Sequence, residues 1–196
     1  WQGTESTQDE KAASAIQAKE MDDAMGGYPV QVRVVMNKEP PHFYKIFNHK
    51  FVVHAGGIGS GFKNVEQADE YDTDGIRLFH VRGTNEWNTR AVQVAERCAS
   101  LNSTDAFILE TPNQLYTWFG KGCNGDEREF AKRMAPKIHG LQCKNKQPEH
   151  IPEGTEPDDF WAALGGKGAY ATVGKEDDPE MEMRDPRLFQ ASNARG

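Results

Sequence analysis

The sequence predicts an α+β architecture, a mixed central sheet sandwiched between one long and one short helix, present once in full and once in part. Three observations carry that expectation. The chain superposes on itself at a fixed offset, short apolar runs alternate as strands do, and two long polar stretches open with residues that cap helices.

At an offset of 117 residues, Trp1 and Gly3 fall on Trp118 and Gly120, and Asp9-Glu10-Lys11 on Asp126-Glu127-Arg128. Glu39-Pro40 falls on Glu156-Pro157 and Phe43-Tyr44 on Phe160-Trp161, with no gap. A second echo has a shift of 110 residues, Arg77-Leu78-Phe79 returning as Arg187-Leu188-Phe189. If Arg-Leu-Phe opens a unit, residues 1–57 form the C-terminal half of one repeat and 75–173 a complete one. Residues 58–74 and 174–184 are then linkers, and 185–196 the first strand of a further repeat.

Taken in order, Thr7 to Met25 is Ala-rich, begins with a Thr7-x-x-Glu10 capping box and meets Gly26-Gly27 as a stop, which predicts a helix. Pro29 to Met36 alternates Val with Gln and Arg and predicts a strand with one buried face. Pro40 to Phe47 predicts a short helix with proline in its first turn, and Phe51 to His54 another strand. The glycines from Gly56 to Gly61, followed by Glu66, Asp69, Glu70, Asp72 and Asp74, read as a solvated linker. The complete unit then reads as strands at Arg77 to Val81 and Thr89 to Val94, and a hairpin of Asp105 to Thr111 with Leu115 to Phe119. A long helix from Asn124 to about His139 and a short one from Pro157 to Leu164 complete it. Pro136 removes a hydrogen bond and predicts a kink, or an early end near Ala135.

With 196 residues, 37% of them hydrophobic, the chain can bury one core of ordinary size or one and a half. No run approaches the roughly 18 apolar residues of a membrane span, and Trp1 to Glu5 lacks the basic and apolar regions of a signal peptide. A net charge of −7 argues against a nucleic-acid binder. Cys98, Cys123 and Cys143 are an odd set without close spacing, which points to reduced thiols in a cytoplasmic protein.

The hairpin carries the most chemistry. A turn at Pro112-Asn113 places Asp105 beside Gly120, and the long helix starts four residues later, so Glu127 comes close to Asp105 and the Thr104 carbonyl. Two carboxylates and a carbonyl suit a hard cation such as Ca²⁺. Asn124-x-x-Glu127 is also a capping box, and the positive end of a helix dipole disfavours a cation; spacing alone favours capping. Glu70-x-Asp72-x-Asp74-Gly75 is not an EF-hand, because Val81 stands where the twelfth position needs a bidentate Glu. The six histidines show no metal-ligand spacing, and no phosphate loop or nucleophile elbow is present, so no enzymatic activity is expected.

Trp118-Phe-Gly-Lys-Gly-Cys-Asn-Gly-Asp-Glu-Arg-Glu resembles the strand-to-helix junction of gelsolin and villin repeats. Leu101-Asn-Ser-Thr-Asp-Ala-Phe-Ile-Leu resembles the preceding strand, and Pro157-Asp-Asp-Phe-Trp-Ala-Ala-Leu-Gly-Gly the short helix of a fifth repeat. The resemblance, nearest to villin and advillin, makes 1–57 the end of repeat four, 75–173 repeat five and 185–196 the start of repeat six.

It implies a calcium-regulated actin-binding fragment of a cytoplasmic filament capping, severing or bundling protein. By position, Thr104, Asp105 and Glu127 match the repeat's own calcium site, which reverses the preference for capping at Glu127. Glu10 matches the helix Glu of the sister site. Asp22 with the carbonyls of Gly27 and Pro29 matches a second calcium site, shared with bound actin. The helix Thr7 to Met25 would dock actin through Thr7, Lys11, Ile16, Met21 and Met25. Neighbouring repeats of the parent chain are further expected partners, and a half repeat leaves a dimer by exchange open. The alternative function is a scaffold repeat that contacts its neighbours and binds no metal.

Overall fold

The computed structural model describes residues 1–48, 50–55, 74–138 and 147–171. Helices α1 (Gln8–Ala24) and α2 (Pro41–Ile46) and strand β1 (Val52–Val53) come from the leading half. The complete repeat supplies β2 (Arg77–Arg82), β3 (Arg90–Val94), β4 (Ala106–Glu110), β5 (Leu115–Phe119), α3 (Gly125–Ile138), β6 (Glu149–Pro152) and α4 (Asp158–Ala163). Residues 58–73 of the linker at 58–74, the linker at 174–184, the glycines 56–61, Cys143, and the strand at 185–196 with Arg187-Leu188-Phe189 lie outside the described residues.

The strands form one mixed sheet in the order β1-β3-β2-β4-β5-β6, antiparallel in the centre and parallel at both edges. The hairpin register is the one that the turn at Pro112-Asn113 dictates, with Ala106 opposite Phe119 and Glu110 opposite Leu115. Because side chains alternate across a strand, Phe79, Val81, Ala106 and Ile108 face one way and pack on Phe130, Ala131, Met134 and Ile138 of α3. Leu78, Phe107, Leu109, Tyr116 and Trp118 face the other way and pack on Phe160, Trp161 and Leu164 at α4. The expected sandwich of a sheet between a long and a short helix is therefore present.

Geometry repeats with the sequence. Trp1 Nε1 donates to Glu39 Oε1 at 2.9 Å, and Trp118 Nε1 to Glu156 Oε1 at 2.8 Å. The bridge between Gln2 and Val35 stands where Phe119 pairs with Pro152. Asn37 and Gly154 both have positive φ, at 66° and 97°. Helices α2 and α4 begin and end 117 residues apart.

Three expectations need correction. Residues 29–36 do not form a strand beyond the single bridge at Val35. Their equivalents in β6 pair with β5 from Tyr116 to Phe119, whereas here only Trp1 and Gln2 stand in the place of that neighbour. Helix α3 runs past Pro136 to Ile138. The lost hydrogen bond falls in its last turn, where burial of Ala135 and Ile138 holds the helix, and an Arg77 guanidinium nitrogen donates to the Ile138 carbonyl. The third correction is an omission, since β6 holds one buried residue, Ile151, and offers no alternation to read. Strand β1, from residues 1–57, pairs with β3 of the complete repeat. Among the described residues, no helix is long and apolar enough to cross a membrane.

Candidate functional site

The mouth of the β4–β5 hairpin brings Thr104, Asp105 and the start of α3 together. Gly120 N donates to Asp105 O at 3.0 Å and Gly122 N to Ser103 O at 2.7 Å, so the chain leaving β5 stays against the chain entering β4. Asp105 Oδ2 accepts from Asn102 Nδ2 at 2.8 Å and sits 2.7 Å from His80 Nε2. His80 lies on β2 opposite Phe107, diagonal to Asp105, and its ring stacks on Phe107 at 4.6 Å. The Thr104 hydroxyl and amide both donate to Asn102 Oδ1.

Burial pushes the Asp105 carboxyl up, but hydrogen bonds from His80, Asn102 and Thr104 and the charge of His80 outweigh it and hold the group below the ordinary aspartate value. The folded chain therefore binds this proton less readily than the unfolded one. Stability tied to the charged carboxylate is complete above the ordinary value of 3.8 and is lost as pH falls through the lower folded value. The stability difference between wild type and Asp105→Asn, measured by urea unfolding, is expected to shrink as pH falls from about 5 toward about 2. A difference that grows on acidification would contradict it.

Glu127 is 3% exposed. Its Oε2 accepts from Asn124 N at 3.0 Å while Glu127 N donates to Asn124 Oδ1 at 2.8 Å, a complete capping box. Its Oε1 accepts from Gly83 N at 3.3 Å, at the end of β2. Asp105 and Glu127 thus hold different partners, yet both act on the Cys123 thiol. Burial raises that thiol most, Arg128 lowers it, and the two carboxylates raise it further. Among the described residues, no group of three or more His, Cys, Asp or Glu side chains is arranged to hold a metal.

The sister position repeats the cap. Thr7 N donates to Glu10 Oε2 at 2.7 Å and Glu10 N to Thr7 Oγ1 at 3.3 Å. Asp22 lies at the far end of α1, where Gly26 and Gly27, both at positive φ, fold the chain back so that Gly27 N donates to Asp22 O at 2.9 Å. Asp22 Oδ2 accepts from Gln31 Nε2 at 2.9 Å, but its Oδ1 is buried with no hydrogen-bond partner. Asp22, Pro29, Met21 and Met25 line one groove of about 420 Å³ between α1 and residues 29–34.

The five residues expected to dock a partner do not share a stripe. Thr7 is the cap, Met21 and Met25 face the groove, and Ile16 stands about 140° round the helix from Met21 and about 180° from Met25. The sister helix supplies the scale. Met21, 62% exposed, corresponds to Ile138 in the core at 6%, so Met21 belongs to an inward-facing stripe. Ile16, 60% exposed, corresponds to Arg133 on the outer face of α3. Beside it, Ala12 corresponds to Glu129, whereas Ala15 lines the groove. Helix α1 thus carries small and apolar residues outward where α3 carries charge.

Sequence reasoning missed Ala12, His80 and Asn102. Reading the outer face of one helix against its copy would have found the first, and extending the hairpin register to the next strand would have found His80.

The sequence profile described as Gelsolin repeat matches residues 1–44 and 89–161. The protein "Gelsolin, cytoplasmic" of Homarus americanus is 48% identical over 192 residues, which is 98% of this chain but 24% of that relative. The chain therefore spans about a quarter of its relative's length. Among solved structures, the Thorarchaeota 2DGel3/rabbit actin complex contains a chain 24% identical with a TM-score of 0.42, covering 82% of this chain and 79% of its own. The Thorarchaeota ProGel/rabbit actin complex contains one 17% identical with a TM-score of 0.40, covering 46% and 99%. Nearly full-length identity at this level, together with a profile that matches in both halves of the internal repeat, places the chain in the gelsolin-repeat family.

Proposed function

We propose that the chain is a calcium-regulated actin-binding segment of a cytoplasmic filament capping, severing or bundling protein, and that it works by binding alone. Family membership supports the reading, and the outer face of α1 carries it. A solvent-facing pair, Ala12 and Ile16, in a position where the sister helix carries Glu129 and Arg133, suits a flat protein partner. Ile16→Asp is expected to weaken cosedimentation with actin filaments at least tenfold, while changing stability by no more than about 0.5 kcal/mol. Unchanged cosedimentation would remove α1 as the docking element.

Calcium is the group that the donor chemistry fits. Asp105 and Glu127 with the Thr104 carbonyl would hold it in the complete repeat, and Glu10 is the corresponding carboxylate in the leading half. Asp22 with the Gly27 and Pro29 carbonyls would hold a second ion. All these donors are oxygen, and the buried, unpartnered Asp22 Oδ1 has the unmet demand that a cation would satisfy. A bound ion supplies two positive charges that draw carboxylates and carbonyls together. The chain's own residues set the rest: the hairpin fixes Asp105, the cap fixes Glu127, and the glycine turn fixes Asp22.

One observation favours a second reading, that the complete repeat is a scaffold contacting its neighbours without metal. Both Glu127 oxygens already accept hydrogen bonds from backbone amides.

A further inference from the structure

We propose that Glu153 is a positioning residue for the cation site at the hairpin mouth, holding the Thr104 carbonyl and Asp105 in place without touching the ion. Glu153 sits in the turn after β6, apart from the groups that would ligate. Its Oε1 accepts from Ser103 Oγ at 2.9 Å and its Oε2 from Lys121 N at 2.8 Å. One carboxylate thus clamps both sides of the mouth, since Ser103 precedes Thr104 and Lys121 follows Gly120, whose amide holds Asp105 O.

The turn itself does not require a carboxylate. Glu153 N donates to Phe119 O at 2.9 Å, and in the leading half Met36 N donates to Gln2 O at 2.8 Å, the same backbone bond at the repeat offset. There the position is a methionine, whose Sδ accepts from Thr4 Oγ1 at 3.7 Å. The Glu153 side chain is 9% exposed, and the Lys121 ammonium, 76% exposed and 4.0 Å away, contributes little to holding it. The two short bonds to a charged acceptor are what fix the carboxylate, and with it the chain on either side.

The clamp reaches the ligands through one residue. Ser103 O accepts from Gly122 N at 2.7 Å, so Ser103 is held by its main chain on one side and by Glu153 on the other. Without Glu153 the backbone bond remains, but the peptides around Thr104 gain freedom to rotate. A hard cation depends on the direction of its carbonyl and carboxylate oxygens as well as on their number. This rests on the reading of Thr104, Asp105 and Glu127 as calcium ligands.

Two measurements on the whole chain test the clamp: amide hydrogen exchange of residues 103–105 and 120–122 without calcium, and calcium titration in an Asp22→Asn background, which silences the second proposed site. Glu153→Ala is expected to speed those amides on the order of tenfold and to lower calcium affinity about tenfold. Glu153→Gln, which keeps one acceptor oxygen, is expected to restore part of the loss. Ser103→Ala removes one of the two bonds and no charge; it is expected to lower affinity about threefold alone and to add nothing to Glu153→Ala, and it carries the test should Glu153→Ala fail to fold. Unchanged exchange in Glu153→Ala overturns the clamp whatever calcium does. Faster exchange with unchanged affinity makes Glu153 a stabilising residue alone and overturns its positioning role. Full additivity of the two alanine variants overturns action through Ser103. Glu127→Gln, titrated beside them, tells the two readings apart. Equal affinity with and without that substitution removes the calcium site and this proposal with it, whereas a loss in Glu127→Gln without one in Glu153→Ala overturns the positioning role alone.

Discussion

Gly120→Ala is expected to destabilise the complete repeat by about 3 kcal/mol or more, and Gly3→Ala, the same substitution in the sister position, to be nearly neutral. A Cβ on Gly120 would stand 2.5 Å from Ser103 O, 2.6 Å from Ser103 C and 2.9 Å from Asp105 O. All three are backbone atoms of the chain entering β4, tied there by the amides of Gly120 and Gly122, so no side chain can give way. At Gly3 the nearest atom is Ser6 Oγ at 3.5 Å, an ordinary contact. Urea unfolding midpoints of the two variants decide the matter, and equal midpoints would mean that the close approach at the hairpin mouth does not exist. The same clash would push Thr104 and Asp105 off the start of α3, so calcium binding at that site should fall with stability.

Glu127→Gln is expected to separate metal binding from folding. Glutamine keeps one carbonyl oxygen for the two amides that Glu127 serves, so one hydrogen bond is lost and stability falls by about 1 kcal/mol. If Glu127 holds calcium as proposed, the variant removes a full negative charge from that site, and calcium affinity in the complete repeat should fall at least tenfold. Isothermal titration with calcium, run beside thermal unfolding, reads both. Equal affinity in wild type and variant would assign Glu127 to the cap alone and favour the scaffold reading.

How much of this was legible in the sequence depends on how local the cause was. Both long helices were readable from their caps, because Thr7 with Glu10 and Asn124 with Glu127 satisfy amides within one turn. The hairpin register followed from one turn, and the repeat from Trp1 with Trp118 and Glu39 with Glu156. What failed was set at a distance. Residues 29–36 alternate as a strand should, but a strand also needs a neighbour. Strand β6 has that neighbour and almost no pattern of its own. Pro136 was judged on propensity, whereas packing of Ala135 and Ile138 decided the helix end. For the candidate site, spacing identified Asp105, Glu127 and the Asn124 amide that Glu127 caps, but not the Gly83 amide or the His80 imidazole. The docking residues, which the resemblance supplied, lie on both sides of α1.

Strand β1 makes the units of sequence and of folding differ. Val52 and Val53 are encoded with the leading half yet close the outer side of β3, with Val52 packed against the core beneath α3. A piece of chain trimmed to begin at residue 74 would keep every residue of the family's repeating pattern and still present a naked row of amides and carbonyls along Arg90 to Val94, an invitation to stick to its own copies. The complete repeat is finished by the segment that precedes it.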